Sequence, residues 1–150
     1  MNRTRTRAAF LLLVIGGGIV IGTMTAPGDW YAGLNKPPFN PPNWIFGPVW
    51  TVLYILIAMT GWRAWESDRA STLMKLWWLQ LGLNFLWSPV FFVLQQPWIA
   101  LVIILALLSV VVIFVIRNWA TDRVSAIAFV PYAVWVAFAS ALNLSIAVLN

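Results

Sequence analysis

The chain contains no cysteine and no histidine, and only 9% of its 150 residues are charged. Without those two side chains, thiol nucleophiles, Cys/His zinc sites, imidazole bases and the usual haem axial ligands are excluded. Acid is scarce as well: the four carboxylates, Asp29, Glu66, Asp68 and Asp122, all lie outside the long apolar runs. A proton-coupled carrier or multidrug-type exporter normally keeps an ionisable group inside the membrane, and this chain has none there. The net charge of +5 does not point to nucleic acid, because Lys and Arg sit at the ends of apolar runs and not on one polar face.

What is abundant is apolar surface, at 62% of residues, against a soluble norm of roughly 25% charged residues. Five stretches, approximately 8–26, 44–65, 73–95, 98–117 and 124–148, are each long enough for a hydrocarbon core of about 30 Å. The predicted fold is therefore an all-α integral membrane protein, a single domain (1–150) built as a bundle of five transmembrane helices. Gln95, Gln96 and Pro97 separate the third and fourth spans, with Pro97 opening the new helix in a tight hairpin. Arg3, Arg5 and Arg7 ahead of the first run imitate a signal peptide, but that run exceeds a usual h-region and no clear Ala-x-Ala site follows. Gly18 and Gly22 within it form a small-xxx-small pair suited to close helix packing.

Charge orients the bundle. Arg3, Arg5, Arg7, Arg63, Arg69, Lys75, Arg117 and Arg123 fall on one side, which leaves Lys36 alone on the other. The positive-inside rule then predicts a cytoplasmic N-terminus and a periplasmic C-terminus, in what reads as a bacterial inner membrane.

Eleven tryptophans divide by depth. Trp30, Trp44, Trp62, Trp65, Trp98 and Trp119 lie near span ends and suit an interfacial belt, to which Trp77 and Trp78 are also assigned. Trp50, Trp87 and Trp135 lie about 9, 12 and 20 Å below the outer ends of their helices at 1.5 Å per residue. A buried indole N–H needs an acceptor from protein or ligand. Gln80, Asn84, Trp87 and Phe91 recur on one face of the third span. Gly47, Thr51, Tyr54 and Ala58, with Trp44, share a face of the second, flanked by Trp50. Tyr132, Trp135, Ala139, Leu142 and Asn143 share one of the fifth. The amides Gln80, Asn84 and Asn143 should point inward, either as interhelical glue or as part of a site. Pro48, Pro89 and Pro131 either open space between helices or are ordinary kinks. The loop 27–43 carries a proline-dense segment, predicted as a stiff, extended connector over 37–42. It reads either as a lid over a pocket or as a surface turn among headgroups.

Three blocks carry a family resemblance: WYAGLNKPPFNPPNWIFGPVWTVLY (30–54), QLGLNFLWSPVFF (80–92) and VPYAVWVAFASALN (130–143). In this order, within five spans, the chain resembles the TspO/translocator protein family, the tryptophan-rich sensory proteins of bacteria and the peripheral benzodiazepine receptor of animals. The resemblance implies a five-helix bundle, commonly a homodimer, with a hydrophobic ligand pocket closed by the first loop. Implied ligands are porphyrins and other tetrapyrroles, with synthetic isoquinoline and benzodiazepine compounds, and no cofactor is required. Carried over by position, the ligand-binding residues are Trp50, Tyr54, Asn84, Trp87, Phe91, Trp135, Ala139 and Leu142. Trp30, Leu34, Lys36 and Pro41 belong to the lid. The cholesterol-recognition pattern of the animal branch is absent, since LSIAVLN after Asn143 holds neither Tyr nor a basic residue. Tetrapyrrole sensing, transport or disposal is the implied function. The alternatives are light- or oxygen-dependent porphyrin breakdown, or a regulatory role through partner proteins.

Overall fold

The computed structural model describes residues 2–150. The first helix, α1 (Arg3–Met24), crosses the bundle and loosens into one wide π turn over Leu12–Gly16. A short helix, α2 (Asp29–Gly33), interrupts the following loop. Then come α3 (Asn43–Ser67), α4 (Thr72–Val93), α5 (Pro97–Thr121) and α6 (Arg123–Leu149). Five of the six are long and apolar enough to cross a membrane.

Local chemistry sets the helix ends. Ser71 caps α4 by accepting from the Met74 N–H at 3.1 Å, and Asp122 caps α6 by accepting from the Ser125 backbone N–H at 3.4 Å, with the Ser125 hydroxyl donating to its other oxygen at 2.6 Å. The α4–α5 turn lies where the three-residue Gln-Gln-Pro break predicts it. Pro89 opens a second π turn at the end of α4 (Pro89–Val93), and Gln95 reverses the chain at φ 55°. Pro97 then occupies the first turn of α5, where its missing N–H costs nothing. Pro131 sits inside α6 without breaking it, and with Pro48 it borders a shallow apolar groove between α3 and α6.

The half of the bundle at the arginine-rich end is solidly packed. Phe10, Ile57, Trp77, Phe114, Phe129 and Tyr132 form one buried cluster, with Phe114 and Phe129 at 4.4 Å between ring centres. Trp77 corrects the interfacial-belt assignment: it is 0% exposed, and its indole N–H donates to the Ile57 carbonyl at 2.9 Å. An indole near a span end satisfies its N–H equally well in water or at an inward-facing carbonyl, so position along the helix does not separate the two. Its neighbour Trp78 faces outward.

Two ion pairs gather the basic end. Arg7 meets Glu66 at 3.5 Å, and Arg63 makes a forked contact to Asp122 at 3.0 and 2.7 Å. The Arg63 bonds, aided by Ser125 and opposed by partial burial, lower the Asp122 carboxyl from 3.8 to about 2. A depressed carboxylate contributes stability that is present above pH 3.8 and lost as pH falls through about 2. In detergent the unfolding midpoint should therefore hold steady above pH 5 and fall between about pH 4 and 2. Asp122→Asn keeps a capping oxygen but loses the charge. It should cost about 1 kcal/mol at pH 7, the pair being reached by solvent, and it should flatten that acid-side fall. An acid-side fall of unchanged size in the variant would refute the assignment.

Candidate ligand cavity

The opposite half of the bundle is hollow. A cavity of about 530 Å³ opens among α1, α3, α4 and α6, and α5 supplies none of its walls. Helical repeats build it. On α4, Asn84, Trp87 and Phe91 come round to the same side; on α6, Trp135, Ala139 and Leu142 do; on α3, Trp50 and Tyr54 do. All eight residues singled out on the three long helices thus line one space. From α1 the wall takes Ile15, Gly18, Ile19 and Gly22, with Thr25 just past its end, none of which the sequence pattern marks as cavity wall.

Gly18 seats the Tyr54 ring of α3 against α1, since a Cβ at this position would strike that ring. A Cβ at Gly22 would meet nothing within 4 Å. The pair is therefore not a helix-packing motif: one glycine seats an aromatic ring and the other borders open space.

The floor is polar and neutral. Tyr54 Oη–H donates to Asn84 Oδ1 at 3.4 Å, Asn84 Nδ2 donates to Tyr132 Oη at 2.7 Å, and Tyr132 Oη–H donates to Gln80 Oε1 at 2.8 Å. Gln80 Nε2 is buried without a partner. Trp87 Nε1 donates to Asn143 Oδ1 at 3.0 Å, and Asn143 Nδ2 donates to the Pro97 carbonyl at 2.8 Å, tying α4, α5 and α6 together. The three amides do face inward, as their cost against lipid requires. Gln80 connects helices away from the cavity, while Asn84 and Asn143 both connect helices and line it. Near the rim Thr25 gives its proton to the Ile21 carbonyl at 2.7 Å, so the 2.7 Å contact with Ser88 uses the Ser88 hydroxyl as donor.

Indole faces dominate the walls. Trp50 lies 5.3 Å from Tyr54, Trp87 stacks on Phe91 at 5.4 Å, and Trp135 meets Phe46 edge-on at 5.8 Å. Trp135 also lines the outer groove, so one side chain separates that groove from the cavity, and its buried N–H has no acceptor.

The loop contributes differently from the residues expected of it. Pro27, Tyr31 and Asn43 line the cavity; Trp30, Leu34, Lys36 and Pro41 do not. Trp30 packs edge-on against Phe91 at 5.8 Å, and Leu34 joins the apolar cluster around Phe91 and Ile146. The Lys36 ammonium donates to the Ala32 and Leu34 carbonyls at 3.3 and 3.2 Å and lies 4.6 Å above the Tyr31 ring. It is held by its own loop. Burial raises the Tyr31 phenol above its usual 10.0, with a bond to Asn40 opposing. The extended connector over 37–42 needs correction too: the Asn40 N–H donates to the Pro37 carbonyl at 3.0 Å, closing a turn. Proline at 38 presets φ for the second position of such a turn as readily as for an extended run.

Fold and cavity together define an integral membrane protein of five helices with an aromatic-walled internal chamber in one half. The chain belongs to the TspO/MBR family, whose profile matches residues 9–149. It is 42% identical to the tryptophan-rich protein TspO of Archaeoglobus fulgidus, over 100% of this chain and 99% of that one. It is 32% identical to the tryptophan-rich sensory protein of Cereibacter sphaeroides, covering 93% and 88% of the two chains. With the translocator protein of Homo sapiens it shares 32% identity over 84% and 79%.

Proposed function

We propose that the protein binds a flat hydrophobic molecule, a porphyrin or related tetrapyrrole, in the chamber, with the loop 27–43 as its lid. The observation that carries this reading is the convergence of Trp50, Trp87 and Trp135 with Asn84 on one apolar-walled space. Indole faces stack on an extended π surface. The remaining donor of Asn84 supplies a polar contact for the ligand edge. The family resemblance supports tetrapyrroles as ligands, with synthetic isoquinoline and benzodiazepine compounds, and supports a role in sensing, transport or disposal of such molecules. The homodimer and the inner-membrane orientation with a cytoplasmic N-terminus belong to the same proposal; the second draws on the eight basic residues at one end of the bundle.

Titration with protoporphyrin IX, read as quenching of tryptophan fluorescence in detergent, tests it. Wild type should saturate, and Trp50→Ala or Trp135→Ala should each weaken affinity about tenfold, the equivalent of losing one stacked ring and its buried area. Wild-type affinity in both variants would eliminate the chamber as the binding site.

A further inference from the structure

We propose that Asn150 is a latch: its carboxamide fastens the loop over the chamber and sets how quickly a ligand enters and leaves. This rests on the reading of the loop as a lid.

The geometry is specific to an amide. Asn150 Oδ1 accepts the Asn35 backbone N–H at 2.9 Å, and Asn150 Nδ2 donates to the Asn35 backbone carbonyl at 2.9 Å. One side chain thus satisfies both main-chain groups of one residue, as a neighbouring strand would. Only a carboxamide offers the paired donor and acceptor for this. The second Nδ2 proton goes to the Ile146 carbonyl at 2.8 Å, which closes the last turn of α6 and fixes the plane of the amide toward the loop.

The position of this contact gives it leverage. Among the described residues, every hydrogen bond from the segment 28–41 to the rest of the chain ends on Leu149 or Asn150. The other polar contacts of that segment are internal: Tyr31 to Asn40, Lys36 to Ala32 and Leu34, Asn40 to Pro37 and Pro41. The rest of what holds the loop down is apolar: Trp30, Tyr31 and Leu34 pack against the ends of α4 and α6, and Phe39 meets Phe138 of α6 edge-on at 6.2 Å. Asn35 lies four residues beyond Tyr31, which faces the chamber, so releasing Asn35 frees the segment that carries the Tyr31 ring. Both latch partners are exposed, so water competes for these bonds and keeps the closure reversible.

A latch made equally well over an empty and a filled chamber changes rates and leaves affinity nearly alone. Asn150→Ala should therefore raise both kon and koff for protoporphyrin IX in stopped-flow quenching by about three- to tenfold, with Kd within about twofold of wild type. Hydrogen–deuterium exchange over residues 29–36 should accelerate about tenfold in the same variant. Asn150→Asp keeps the acceptor but sets a carboxylate against two carbonyls, and should open the loop at least as much. Asn35→Ala is the discriminating control: the latch uses the Asn35 backbone, and its side chain makes one 3.4 Å bond to the Leu149 carbonyl. That variant should stay near wild type in every readout. Asn150→Ala with wild-type exchange and rates, faster exchange with unchanged koff, or Asn35→Ala matching Asn150→Ala would each overturn the latch. If wild type fails to bind the porphyrin, the ligand reading falls, and the exchange experiment alone decides whether Asn150 holds the loop.

Discussion

Replacing Gly61 by alanine should cost about 3 kcal/mol, the upper end of what overpacking a closed core costs. Gly61 lies buried on α3, and a Cβ there would sit 2.5 Å from Trp77 Cε2 and 2.6 Å from Phe10 Cδ1. The indole has nowhere to retreat. Trp77 is tied to the Ile57 carbonyl and meets Phe10 and Trp78 edge-on at 5.0 and 4.8 Å. Phe10 is itself fixed against Trp65 at 6.0 Å. The overlap must be relieved by parting α3 from α4 or α1, which loosens the whole packed half. Against a typical total stability of 5–15 kcal/mol, that loss should appear as a large drop in the unfolding midpoint in detergent. Gly22→Ala is the matched control, with open space at its Cβ, and should shift stability by less than about 0.5 kcal/mol. Equal behaviour of the two variants would contradict the packing described.

The second large effect is expected from one oxygen atom. Tyr132→Phe removes the hydroxyl that accepts from Asn84 Nδ2 and donates to Gln80 Oε1. Both amides then stay buried with a vacant hydrogen-bonding group, at a cost of about 2 kcal/mol or more. Gln80 is fully buried and stands outside the cavity wall, so its freed oxygen has no water to turn to. The ring itself, edge-on to Phe129 at 5.2 Å and to Trp50 at 6.5 Å, is retained, so the loss reports the hydroxyl and not the packing. Gln80→Leu in the Tyr132→Phe background should recover part of the loss, because it removes an amide that no longer has a partner. Strictly additive losses in that cycle would argue against the connected floor.

The sequence was most readable where a property repeats with the helical period. Hydropathy located five crossings to within a few residues, because a helix facing lipid must be apolar over most of its length. The Gln80, Asn84, Trp87, Phe91 series exposed the chamber wall of α4 for the same reason: large or polar side chains mark a face. The contribution of α1 was invisible, since Gly18 and Gly22 shape the wall by having no side chain to read. Trp77 and Trp78 are adjacent and chemically identical, yet one is fully buried and the other faces outward. Only the packing of α4 separates them. The loop was the hardest part. Lys36 folds back on Tyr31, and the partner that fastens Asn35 lies 115 residues away. No local pattern announces a contact of that kind.

The floor of the chamber has one more consequence, for the pose of any guest. Phenols and amides carry no charge at neutral pH, and among the described residues no Asp, Glu, Lys or Arg borders the cavity. An ionised group pushed to the bottom would lose its hydration and gain no counter-charge, at a cost of several kcal/mol. An amphipathic guest must therefore enter ring first, with its ionic edge left at the mouth. The chamber reads polarity along a single direction, and a molecule charged at both ends has no orientation in which it fits.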